Sequence, residues 1–127
     1  MESKKLIWTG RILSFIPILF LLLDGIMKLV LPLPVREGMP QLGWPVELAV
    51  PLGIVLLACT LFYMIPRTAV FGAILLTGYL GGAIATHVRI GNPLFSHVLF
   101  PVYVALLLWG GLYLRDRRVR ALFPVTA

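Results

Sequence analysis

Residues 7–31 read IWTGRILSFIPILFLLLDGIMKLVL. Almost every position is apolar, and the run is long enough to cross a hydrocarbon core, which takes about 20 residues. Basic residues precede it, as they precede a secretory leader. The run is too long for the apolar part of a leader, shows no small-residue cleavage site, and carries Asp24 and Lys28. It is therefore read as a retained membrane helix, closed by Pro32 and Pro34. Gly10, Ser14, Pro17, Leu21, Asp24 and Lys28 recur along it in steps of four and three. That spacing describes the one stripe a bundle helix turns toward its neighbours.

The rest of the chain repeats the pattern. Of 127 residues, 60% are hydrophobic and 13% charged, against about 25% charged in soluble domains, and the mean hydropathy is +0.99. A soluble domain of this size needs a polar shell that this composition cannot supply. Further spans are expected at residues 45–64, 68–88 and 94–114, with a loop at 33–44 and a basic tail at 115–127. Four spans of about 20 residues leave little for any other unit. The expected fold is an all-α, antiparallel up-down transmembrane four-helix bundle in a single membrane domain. Pro51 and Pro101 are read as interior prolines that bend their helices. Gly78 and Gly82 form a small-xxx-small pair, read as a site of close backbone approach.

The net charge of +6 does not signal nucleic acid, because the cations flank apolar runs instead of forming an aromatic-interleaved face. Placing the N-terminus inside puts Lys4, Lys5, Arg11, Arg67, Arg115, Arg117, Arg118 and Arg120 on the cytoplasmic side, and only Arg36 and Arg89 in the outer loops. Both termini are thus expected in the cytoplasm. Cys59 is the only cysteine, so no disulfide can form within the chain.

On that topology, Asp24, Lys28, Glu47, His87, Arg89 and His97 all fall in the outer half of the bundle. Asp24 lies about 12 Å along its helix from the closing proline, at 1.5 Å per residue. A lone Asp or Lys at mid-bilayer costs about 2.5–3.5 kcal/mol, so such residues usually face a protein interior. Asp24 and Lys28, four apart, can pair. Tyr79 and Thr86 share a face with Ala83 and His87, and small Ala83 leaves room beside the imidazole. The expected site is a polar cavity of Asp24, Lys28, Glu47, Tyr79, Thr86, His87, Arg89 and His97. Zinc or iron would accept the histidines and carboxylates, but no local ligand motif supports a metal. No nucleophile elbow or phosphate loop is present.

The stretch Leu75-Leu76-Thr77-Gly78-Tyr79-Leu80-Gly81-Gly82-Ala83-Ile84-Ala85-Thr86-His87-Val88-Arg89 resembles the signature of the DoxX-like proteins. Asp24-Gly25-Ile26-Met27-Lys28-Leu29 and Trp109-Gly110-Gly111-Leu112-Tyr113 resemble the same family, and the likeness runs from about residue 11 to 124. It implies a small, multi-pass protein of the bacterial inner membrane with four helices. Its relatives are linked to membrane redox pathways, and distant ones to receptor assembly. The chain lacks the paired cysteines a thiol-redox role would use, and the resemblance carries over no catalytic set. The reading is an amphipathic-ligand site for a quinone or a lipid, in a redox-accessory subunit with a membrane redox partner. A non-catalytic assembly subunit, a homo-oligomer and an enzyme using acid-base chemistry on a lipid-like substrate are the alternatives.

Overall fold

Residues 4–123 are described by a computed structural model. α1 spans Lys4–Val30. It ends at Leu31, whose φ of 60° is left-handed and strained for a branched side chain. Pro32 follows and cannot continue the helix. The expected loop is then partly helical: α2 spans Leu33–Gln41. Pro34 sits in its first turn, where the missing N–H has no partner to lose. The Pro and Gly content thus marks the ends of a short helix as well as a turn. Gly43, with φ +82°, ends the segment.

A 3₁₀ turn at Val46–Leu48 leads into α3, Ala49–Met64. Pro51 falls in the first turn of α3, so it interrupts no helical bond. Ile65 is extended ahead of Pro66, and a 3₁₀ turn at Pro66–Thr68 opens α4, Ala69–Arg89. The last span starts as a π-helical turn, Leu94–Val98, and becomes α5 at Phe100–Arg115. Pro101 lies at the start of α5 and not within it. Lacking an N–H, it leaves the preceding turn free to widen, and the Leu99 N–H reaches the Leu94 carbonyl at 2.9 Å. Part of the expected tail is also helical: α6 spans Arg117–Leu122. Residues 124–127 of that tail lie outside the described residues.

Four segments are long and apolar enough to cross a membrane: Lys4–Val30, Val46–Met64, Pro66–Arg89 and Leu94–Arg115. They form a ring in which α1 packs on α3 and α5, and α4 packs on the same two helices. Leu21, Leu56, Leu76, Leu108 and Leu112 fill its centre. Large apolar side chains such as Ile12, Leu19, Ile54 and Leu106 are more than half exposed. In water such a surface would aggregate; in a bilayer it meets lipid. The protein is a multi-pass membrane protein.

Gly10, Ser14, Pro17 and Leu21 are buried along α1, and the next buried position is Gly25. Small residues set the close crossings. A Cβ on Gly10 would lie 2.6 Å from the Gly111 carbonyl oxygen, and one on Gly53 would lie 2.9 Å from that of Gly25. These contacts bring α1 against α5 and α3. The expected close approach at Gly78 and Gly82 is absent: a Cβ there meets nothing within 4 Å. These glycines leave space open instead of closing it.

The half near the termini is locked by hydrogen bonds. The Tyr63 hydroxyl donates to the Leu108 carbonyl at 2.6 Å. Its one hydrogen is thereby used, so the 2.9 Å contact with Ser14 has the Ser14 hydroxyl donating. Arg115 Nε donates to Ser14 Oγ at 3.0 Å. Ser14 and Tyr63, both buried, are thereby satisfied, and Arg115 ties them to α5.

Candidate functional site

The opposite half is hollow. A cavity of about 480 Å³ lies among α1, α4 and α5, with α2 and the following turn over it. Its wall is mostly apolar and includes Phe20, Phe100 and Val104, while Met39, Leu42 and Trp44 cover one side. Asp24, Lys28, Tyr79, Thr86 and His87 supply its polar groups. Gly78, Gly82 and Ala83 also line it, and their small size is what keeps the volume open.

Lys28 Nζ donates to Asp24 Oδ1 at 2.7 Å. The ammonium has three hydrogens and this bond takes one. The Thr86 hydroxyl donates to the Gly82 carbonyl at 2.9 Å, which leaves its oxygen able only to accept. The Asn92 amide nitrogen lies 2.6 Å from His87 Nδ1. An amide nitrogen only donates, so Nδ1 accepts and the ring carries its hydrogen on Nε2. The Tyr79 hydroxyl is half-buried on the cavity wall, and no hydrogen bond among the described residues reaches it. The cavity therefore offers three kinds of donor: an ammonium, an imidazole N–H and a phenol.

Three of the eight side chains expected here stand elsewhere. Glu47 is exposed and off the cavity wall, in the 3₁₀ turn before α3. Arg89 reaches back to the Leu42 carbonyl at 2.9 Å and holds the turn that carries Trp44. His97 is exposed on the π-helical turn, with Ser96 Oγ 2.8 Å from its Nδ1 and its ring edge-on to His87 at 5.7 Å. Among the described residues neither imidazole has a carboxylate as its hydrogen-bond partner. Among the described residues no group of three His, Cys, Asp or Glu side chains is close enough to hold a metal.

The sequence reading missed Met39, Trp44 and Asn92. Met39 is 4% exposed, on a helix whose proline content reads as loop. Asn92 follows Gly91, with φ +74°, which turns the chain back so that the amide meets the ring five residues earlier.

A lipid-facing ring of four helices, closed at one end and hollow at the other, defines a small multi-pass membrane protein with an intramembrane cavity. The DoxX-like family model matches residues 12–111, and the chain belongs to the DoxX-like family. No curated protein and no solved structure matches the chain.

Proposed function

We propose that this DoxX-like membrane protein binds a small amphipathic molecule by an acceptor-bearing head. The observation that carries the reading is the Tyr79 hydroxyl, set on the wall of a mostly apolar cavity with no partner within the described protein. A fully buried phenol without a hydrogen bond costs about 1–3 kcal/mol, and the half-buried Tyr79 carries part of that cost. An occupant with a carbonyl, ester or phosphate oxygen relieves that cost. Lys28 and His87 on the same wall extend the donor set, and Asp24 holds the ammonium in place. The volume lies within the roughly 300–1,000 Å³ of ordinary ligand pockets.

Quinones and lipids share this chemistry. A quinone occupant would make the protein an accessory to a membrane redox enzyme. The Lys and Arg count supports both termini on the cytoplasmic side, and the reading sets the protein in a bacterial inner membrane as one membrane domain with the cavity in the outer leaflet.

Tyr79→Phe tests the reading, because it removes the hydroxyl and little else. Protein in nanodiscs is titrated with decyl-ubiquinone and, separately, with a lysophospholipid, following tryptophan fluorescence, to which Trp44 on the cavity wall contributes. One probe should bind the variant about threefold to tenfold more weakly, the worth of one neutral hydrogen bond. The melting temperature without probe should hold or rise, because the variant no longer carries the unpaired hydroxyl. Equal affinity of each probe for the two proteins, or no binding at all, overturns the proposal.

A further inference from the structure

A second, smaller hollow of about 250 Å³ runs along the seam between α4 and α5. Leu80 and Pro101 belong to its wall and also to the wall of the larger cavity, so the two spaces share a boundary. The groove has a defined far end. There Trp109 Nε1 donates to Thr77 Oγ1 at 2.8 Å, bridging the two helices. Thr77 in turn donates to the Ala73 carbonyl at 2.7 Å, so both of its hydroxyl functions are satisfied and no polar group there seeks a ligand. Ile84, Val102, Ala105 and Leu106 complete an apolar lining. On α5 the groove extends from Pro101 to Trp109, about 12 Å at 1.5 Å per residue.

Gly81 lies on this wall. A Cβ built on it meets nothing within 4 Å, and the same holds for Gly78 and Gly82 on the cavity side. Gly81 therefore serves no helix contact within the chain, although glycine inside a helix costs about 1 kcal/mol relative to alanine. The open volume is what it supplies.

We propose that the α4–α5 groove holds the apolar chain of the same ligand whose head occupies the larger cavity. The inference rests on the head-group reading and adds the ligand's shape: one polar head carrying a long apolar chain. The chain leaves the cavity past Leu80 and Pro101 and lies along the seam toward Trp109. Leu80 and Pro101 are buried between the two spaces, and this shared wall favours this occupant over a bulk lipid chain or a second copy of the protein, because neither of those needs an apolar groove set directly beside the polar cavity.

The test uses two probes with one head: decyl-ubiquinone, and the same benzoquinone without its chain. Gly81→Leu fills the groove without touching the polar cavity, and Gly81→Ala is the milder version. Binding is followed by quenching of the tryptophan fluorescence in nanodiscs, to which Trp44 and Trp109 both contribute, with the melting temperature as the check on folding. Gly81→Leu should weaken decyl-ubiquinone about tenfold, the low end of what exclusion from an apolar slot gives. The chainless probe should bind wild type and variant alike, and Gly81→Ala should fall between. Unchanged affinity for decyl-ubiquinone, which a lipid chain or second copy in the groove would give, overturns the groove assignment and leaves the head site standing. Absence of binding by both quinone probes to wild type overturns the groove assignment, and absence of lysophospholipid binding as well overturns the head site with it.

Discussion

The Asp24–Lys28 pair allows a quantitative test, because two roles for it predict different outcomes. The carboxylate precedes the ammonium by four residues, the favourable order on a helix, at 2.7 Å. The side chains are 17% (Lys28) and 35% (Asp24) exposed. A fully exposed helical pair is worth about 0.3–0.5 kcal/mol, and breaking a fully buried one costs about 3–5 kcal/mol. Burial between those limits, beside a mostly apolar cavity, gives a coupling of about 1–2 kcal/mol. Lys28→Met leaves a carboxylate without its cation and should be the worst variant, at about 2.5 kcal/mol. Asp24→Asn keeps an acceptor for the ammonium and should cost about 1 kcal/mol. The double variant removes both charges and should cost about 2 kcal/mol, less than the summed single effects by the coupling and less than Lys28→Met alone. Unfolding in mixed micelles by added dodecyl sulfate, followed by tryptophan fluorescence, gives the four stabilities. Single effects that add to within about 0.5 kcal/mol would refute the pairing. Decyl-ubiquinone then separates the roles. A pair that holds a ligand loses ligand-induced stabilisation in the double variant although the fold is intact, whereas a purely structural pair does not.

Two further outcomes are expected. Gly72→Ala would place its Cβ 2.6 Å from Tyr63 Cα and 2.7 Å from the Phe62 carbonyl carbon, so rigid backbone must move. It should cost about 1–3 kcal/mol or more, while Gly78→Ala, in open space, should be neutral or stabilising by up to about 1 kcal/mol; the same micelle titration ranks them. Asp116 caps α6 by accepting from the Arg118 N–H at 2.9 Å and from its guanidinium. The Arg118 side-chain bond, foremost, holds the carboxyl below its usual range against the opposing effect of burial. Because the folded carboxyl is the stronger acid, its contribution is full above the unfolded pKa and is lost as pH falls through the folded one. Amide exchange in α6 should therefore quicken on acidification in wild type, and Asp116→Asn should remove that pH dependence.

Much of the architecture was legible because lipid imposes a simple rule. Backbone polar groups must be satisfied within each span, so long apolar runs become helices. Gly10, Ser14, Pro17 and Leu21 could be placed on the buried stripe from spacing alone. The same stripe drifts at its far end, where Gly25 is buried and Asp24 turns to the cavity. Glu47 and His97 were placed at the right level from their positions along the chain, but level does not fix which way a terminal turn faces. The 3₁₀ turn and the π-helical turn rotate those side chains outward. Gly78 and Gly82 show a different limit. A small-xxx-small pair reads identically whether a helix or a hollow lies opposite, and only the packing of α5 decides between them. Met39 escaped notice because Pro34 and Pro40 look like loop, although Pro34 sits in the first helical turn, where it is no obstacle, and Pro40 lies at the helix's other end.

The connection at Pro66–Thr68 bears on how the chain is made. So short a link cannot let α3 and α4 settle in separate places, so they leave the insertion machinery as one hairpin. The outward carbonyl of Pro66 in that hairpin is later held by Arg118 at 2.6 Å. That guanidinium is synthesised 52 residues afterwards, a delay of roughly 3–10 s at ribosomal speed. The hairpin must stand in the bilayer for that interval without its clasp, which can fasten only after α5 has followed.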